Sequence, residues 1–361
     1  MSYFFDFCNI LCYDIAMEEI MEKAKKFIRN FIVFLLLIVL TFYIALKDQD
    51  LSELYIVIKN TVPSFVIMGI LSMCFYLLCE AINIDRMLKA LGEKSTFSQN
   101  IKYALIGFFF SGITPAASGG QPMQIYFMYK DNIKVANSTL ALLVNLFCMQ
   151  IVTISIALIS LCFNFSYMPR GIIALFVVGI LLNLSALSLL IIAIFNKKIL
   201  DKLVGFIIKV MKFLKLKKYE TLKEKLENEV EKYKENASYV KQHKKVILKN
   251  LITSYVQFFV FYSISYWVYR SFGLNKFNLL KITSLQSIVF ATVSGIPSPG
   301  SVGVNEGAFI AIFRRIIPEN LLKGAMLLSR GINFYLFMII SGIFVAFLFL
   351  KGKKQNKNDL K

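Results

Sequence analysis

The sequence predicts an all-α polytopic membrane protein, with about six spanning helices plus two re-entrant broken-helix hairpins in an inverted-topology repeat. Three observations predict it. The 361 residues are 57% hydrophobic, contain one His and have a mean hydropathy of +0.64, far more apolar than a soluble domain of that size. Apolar runs of spanning length alternate with segments that hold most of the Lys and Arg residues. Two further apolar runs stop short at breaks rich in Gly, Ser and Pro, SGITPAASGGQPM over 111–123 and SGIPSPGSVGVNE over 294–306.

Composition also excludes several classes. A net charge of +19 in a soluble chain would point to nucleic acid, but here the positive residues cluster between apolar runs, so no nucleic-acid partner is expected. Cys8, Cys12, Cys74, Cys79, Cys148 and Cys162 show no C-x-x-C spacing and lie mostly in apolar runs, which reads as buried thiols. With His243 alone in a charged segment, no metal or other cofactor is expected. There is no Ser/His/Asp set and no phosphate-binding P-loop, and the first apolar run lacks a signal-peptide cleavage site.

In chain order, residues 1–26 read as a cytoplasmic N-terminal segment. The first membrane half covers 27–196. Lys23, Lys25, Lys26 and Arg29 precede a span at 31–46, a second span at 62–82 returns to Asp85, Arg86 and Lys89, and spans at 135–163 and 171–195 close the half. Between them, 103–129 is a re-entrant hairpin, because its apolar arm from 103 to 113 is shorter than the roughly 20 residues a spanning helix needs. Residues 197–249 form a basic cytoplasmic loop with 16 Lys and 7 acids, part of it patterned as one or two surface helices. The second membrane half, 250–350, holds spans at 251–272 and 321–350 around a hairpin at 285–317, and 351–361 is a basic cytoplasmic tail. Both termini are thereby cytoplasmic and the chain is a multi-pass protein of the cell membrane.

The two breaks align without a gap. Ser111, Gly112, Ile113, Ser118 and Gly120 fall on Ser294, Gly295, Ile296, Ser301 and Gly303. Each is flanked by the same order of span, hairpin and span, with opposite orientation. A substrate site is expected near the midplane, where the broken helices of the two halves meet.

Glu306 follows the second break and reads either as a site carboxylate or as a first-turn acid favoured by the helix dipole. Arg330 is its natural partner or a contact for a lipid phosphate, or else a snorkelling interfacial residue. Arg314 and Arg315 go against the positive-inside pattern and read as outer-leaflet phosphate contacts or as surface charge. Ser118, Gly119, Gly120 and Gln121 are candidates to present backbone amides to a phosphate. Glu80, Asn83, Tyr126 and Tyr129 are possible lining groups, the tyrosines alternatively being interfacial anchors.

At the breaks the sequence resembles the membrane domain of the lysylphosphatidylglycerol synthase/flippase family, the multiple-peptide-resistance factors. Thr114, Pro115, Gly119, Gly120 and Tyr126 are similar to that family's first-half pattern, and Pro297, Pro299, Gly300, Gly303 and Glu306 to its P-x-P-G-x-x-G-x-x-E pattern. The resemblance covers about residues 25–350. Gln121 and Gln124 stand where many members carry an acid and an Arg, which removes a charged headgroup contact there. The resemblance implies the lipid-translocating half without the aminoacyltransferase domain, since 11 residues follow the last span. It implies a flippase-like protein acting on a membrane phospholipid, anionic or aminoacylated, at these residues and Arg330, in the setting of antimicrobial peptide resistance. Two alternatives stand beside it. One is a phosphatidylglycerol lysyltransferase, for which lysyl-lipid made by this chain alone would speak. The other is a non-transporting membrane partner of a separate lipid-modifying enzyme. Met17, which opens the basic lead-in MEEIMEKAKKFIRN, is expected to be the translation start; N-terminal sequencing that recovers a peptide from residues 3–14 would refute this.

Overall fold

In a computed structural model the described residues are 59–195, 219–242, 244–296 and 299–358, with positions 55, 204, 205, 208 and 209. The expected span at 31–46, Cys8, Cys12, His243 and Pro297 lie outside them. The described chain is helical: α1 Pro63–Ala90, α2 Phe97–Ile113, α3 Gly120–Lys130, α4 Val135–Asn164, α5 Arg170–Phe195, α6 Tyr219–Gln242, α7 Lys244–Ser271, α8 Leu279–Val293, α9 Val304–Phe313, α10 Glu319–Arg330 and α11 Leu336–Asn358. Short 3-10 turns at Pro115–Ala117 and Pro299–Ser301 separate α2 from α3 and α8 from α9, and a π turn, Gly331–Tyr335, joins α10 to α11.

Five helical stretches among the described residues are long and apolar enough to cross a membrane: Pro63–Ala90, Val135–Tyr167, Arg170–Ile194, Lys244–Ser271 and Glu319–Phe349. Their outer faces are apolar. On α1, Ile67, Leu71, Phe75, Leu78 and Ile82 are exposed at spacings of one helical turn, a stripe that only lipid would cover favourably. The chain is a polytopic all-helical membrane protein.

The thiols correct one expectation. Cys79 and Cys148 are buried, but Cys74 and Cys162 are exposed on the outside of the bundle. In a membrane an apolar run faces lipid as readily as core, so apolarity alone does not place a side chain inside.

The hairpin arms begin earlier than their apolar runs. Thr96 caps α2 by accepting from the Gln99 amide at 3.3 Å while the Gln99 side chain accepts from the Thr96 amide at 2.8 Å, so the helix starts at Phe97 rather than at 103. Asn278 likewise accepts from the Lys281 amide at 2.9 Å and starts α8 at Leu279 rather than at 285. The first turn of α2 is polar, and in α8 Lys281, Thr283 and Ser284 interrupt the apolar run, which shortens both arms in a hydropathy reading. At 17 and 15 residues the arms remain short of a crossing.

Helices α1 and α7, which occupy corresponding places in the two halves, pack along their length and run antiparallel. The Val62 amide donates to the Ser271 carbonyl at one end, and Asn83 and Arg86 bond to Ser254 and Asn250 at the other. Each hairpin packs on its own half and also reaches across to the other. The first, α2–α3, lies against α11, and its core of Tyr103, Ile106, Phe109 and Met128 is completed by Phe334, Tyr335 and Met338. The second, α8–α9, lies against α4 and α5 of the first half. The two 3-10 turns therefore meet in the middle.

The α5–α8 contact is among the tightest. An added Cβ on Gly179 would stand 2.5 Å from the Ala291 carbonyl oxygen and 2.7 Å from that of Thr292, backbone atoms that cannot move aside. Gly179→Val is therefore expected to destabilise the purified protein by about 1–3 kcal/mol, read as a lower unfolding temperature, whereas Gly171→Ala, with open space around it, should leave it unchanged.

Candidate functional site

Broken backbone inside a bundle needs its polar groups covered by protein, and the two breaks meet that need in different ways. In the first, the Thr114 hydroxyl donates to the Phe110 carbonyl at 2.6 Å and accepts from the Gly119 amide at 2.8 Å. Ala117 takes a left-handed conformation at φ 55°, and at the aligned position of the second break Gly300 has φ 56°. The two stretches share that left-handed residue but part after it, since Ser118 has φ −67° where Ser301 has φ 53°.

In the second break the end of α8 is finished by a side chain from another helix. Asn183 on α5 donates to the Ser294 hydroxyl at 3.0 Å and to the Ala291 carbonyl at 3.4 Å. Gly303, at φ 83°, precedes α9 and directs its amide to Glu306 Oε2 at 2.6 Å. Glu306 also accepts from Arg330 Nε through Oε1 at 2.9 Å, and Arg330 Nη2 donates to the Gly300 carbonyl at 2.8 Å. The two side chains are 12% and 7% exposed, so this is a desolvated, doubly anchored ion pair. Glu306 is both a first-turn cap and a charge partner, which joins the two readings of that residue.

The guanidinium is further framed by rings. Its carbon lies 4.5 Å from the Phe334 ring centre and 5.5 Å from that of Tyr335, and the Tyr335 hydroxyl reaches Glu306 Oε1 at 3.5 Å. A π turn brings residues i and i+5 together, which is how Arg330 and Tyr335 come to share one carboxylate. Phe334 and Tyr335 were not singled out from the sequence; the aromatic four residues after an intramembrane Arg was the available signal. Phe334 also seals Gly300, where an added Cβ would lie 2.3 Å from the ring.

The other sequence candidates are distributed more widely. Pro299 opens the second 3-10 turn, while Pro115 opens the first and is exposed. Ser118 and Gln121 are half-buried at the start of α3. Gly119 has already committed its amide to Thr114, and Gly120 is buried where an added Cβ would meet Ser111 Oγ at 2.0 Å, so close α2–α3 packing requires it. Gln124 is buried and donates to the Tyr103 carbonyl at 3.0 Å, clasping the same pair. Tyr126 lies at the far end of α3 beneath the Lys130 ammonium, 4.6 Å from the ring centre. Of the two outlying arginines, Arg315 donates to the Ser166 carbonyl at 2.7 Å and Arg314 stands 3.9 Å from Glu319 at the surface. The structure thus brings Gly300, Gly303, Glu306 and Arg330 into one cluster beside the first break, with Tyr126 outside it.

The sequence profile described as lysylphosphatidylglycerol synthase TM region matches residues 30–341, and the chain belongs to that family. Among curated proteins it is similar to a UPF0104 membrane protein of Pyrococcus horikoshii, 22% identical over 300 residues covering 80% of this chain and 88% of the relative. It is also similar to a UPF0104 membrane protein of Archaeoglobus fulgidus, 21% identical over 315 residues covering 86% and 94%.

Removing one partner of the buried pair leaves the other uncompensated. Arg330→Ala is expected to cost about 3–5 kcal/mol in unfolding of the purified protein, and the double change Arg330→Met with Glu306→Gln is expected to cost less than Arg330→Ala alone. Equal or greater loss in the double variant would mean that the pair is not the main contribution of these residues.

Proposed function

We propose that this member of the lysylphosphatidylglycerol synthase TM-region family moves a phospholipid between the leaflets of the cell membrane, the cargo being anionic or aminoacylated and of the lysylphosphatidylglycerol class. The observation that carries the reading is the ion pair of Glu306 and Arg330 at the junction of the two broken hairpins. Arg330 offers a phosphate a planar fork whose Nε is now held by Glu306 and whose Nη2 by the Gly300 carbonyl, and Glu306, once released, offers an ammonium group of an aminoacylated headgroup a carboxylate. A closed pair that can exchange internal partners for a headgroup keeps both charges satisfied before and during passage. The basic segment 197–249 and both chain ends are taken as cytoplasmic, where anionic lipid would gather.

A second reading rests on α6. This charged helix packs on α4, α5 and α7, and Tyr233 donates to the Ala193 carbonyl at 3.1 Å, so it is held against the bundle as a platform for a separate lipid-modifying enzyme would be. Leaflet exchange separates the two. Purified chain in liposomes carrying phosphatidylglycerol or lysylphosphatidylglycerol is expected to exchange lipid faster than empty vesicles, and Glu306→Gln and Arg330→Lys, each shown to be folded, are expected to slow exchange about tenfold or more. No exchange with either lipid from folded protein would favour the platform reading.

A further inference from the structure

A second carboxylate lies within the bundle, away from the breaks, and it has no positive partner. Glu80 sits in the spanning part of α1, between α4 and α7. Its Oε1 accepts from the Asn145 side-chain amide at 2.7 Å and its Oε2 from that of Gln257 at 3.1 Å. No ion pair involves Glu80 among the described residues. Arg86, six residues along α1, spends its Nη1 on the neutral oxygens of Asn83, Asn250 and Thr253. The titratable groups beside Glu80 are Tyr76 and Cys79 on α1, neither of which carries positive charge.

The amides that hold Glu80 are themselves incomplete. Asn145 and Gln257 are 2% and 0% exposed, yet Asn145 Oδ1 and Gln257 Oε1 accept no hydrogen bond among the described residues. Three neighbouring helices thus contribute one carboxyl group without a cationic partner and two buried, unpaired acceptor oxygens, deficits that a proton or a cation would meet. Turning either amide over would point its oxygen at the carboxylate, an arrangement that becomes favourable only with a bridging proton or cation. Glu80 itself is only partly buried.

We propose that Glu80, Asn145 and Gln257 form an intramembrane site for one small monovalent inorganic cation, a proton or sodium. An ion held there neutralises the α1–α4–α7 junction, and it gives a lipid-moving bundle a place to draw on an ion gradient. The assignment does not depend on which lipid moves, or on whether any does.

Infrared difference spectroscopy on the full chain in nanodiscs tests it, with sodium chloride against choline chloride at fixed pH in one arm and a pH step in choline chloride in the other. Bound sodium is expected to shift the carboxylate stretch, and a bound proton to replace it with a carboxyl stretch. Whichever signal wild type gives is expected to be lost in Glu80→Gln and kept in Glu306→Gln. Asn145→Leu and Gln257→Leu are each expected to raise the ion concentration at half-saturation about tenfold. Trp267, the single tryptophan, stacks on Phe65 of α1 from the same helix as Gln257, so its emission reports that each variant retains the α1–α7 packing. A signal that survives Glu80→Gln, or a wild-type spectrum that responds to neither ion, overturns the assignment.

Discussion

Everything in this bundle depends on having unwound backbone within a membrane-spanning assembly, where each unpaired amide or carbonyl costs several kcal/mol. Two turns break α2 from α3 and α8 from α9, and their polar groups are met by side chains instead of solvent. Thr114 serves the first break from within it, while Asn183 and Arg330 serve the second from α5 and α10. The second break is therefore tied to both halves of the chain. Its Arg330 contact is also charged, and this requires Glu306 to be where it is.

The reach of each hairpin across to the other half follows from the same demand. A hairpin that ends inside the membrane leaves its tip without lipid headgroups or water, so the tip must lie against another protein surface. Each tip covers the other. With α1 and α7 packed antiparallel as the central pair, the second hairpin rests on spans of the first half and the first on the final span. A shift of one half relative to the other moves both tips together, which is how inverted repeats present one site alternately to two sides.

Much of this architecture was legible in the sequence because glycine, proline and charge are punctuation that a membrane makes strict. The breaks and their alignment could be read directly, while the pairing of Glu306 with Arg330 was one of several readings that the residue types allowed. The starts of the hairpin arms could not, because polar residues, Ser98 to Asn100 in α2 and Lys281, Thr283 and Ser284 in α8, interrupt the apolar runs close to the caps at Thr96 and Asn278. Nor could the inward or outward direction of Cys74 and Cys79, five residues apart in one apolar run, since lipid and core reward the same side chains. Tyr335 was hidden for a different reason: helical periodicity does not anticipate a π turn, which alone sets it against Glu306. The partners of Glu80 lie 65 and 177 residues away along the chain, and nothing local announces them.

The two intramembrane carboxylates are solved in opposite ways, and the difference bears on how energy enters the system. Glu306 is saturated by a guanidinium, a backbone amide and a tyrosine hydroxyl, so its charge is balanced at rest and any headgroup must displace a partner. Glu80 is held only by dipoles whose own oxygens are unmet, so its balance must come from something mobile. On the proposed readings, the charge pair at the broken centre and the carboxylate between α1, α4 and α7 would separate selection of cargo from uptake of charge. Both sites share α1 and α7 with the helices that hold the breaks, since α1 packs on α2 and on the π turn while α7 packs on α8 and α10. A change of charge at Glu80 would therefore act on the same two helices against which both hairpins must move.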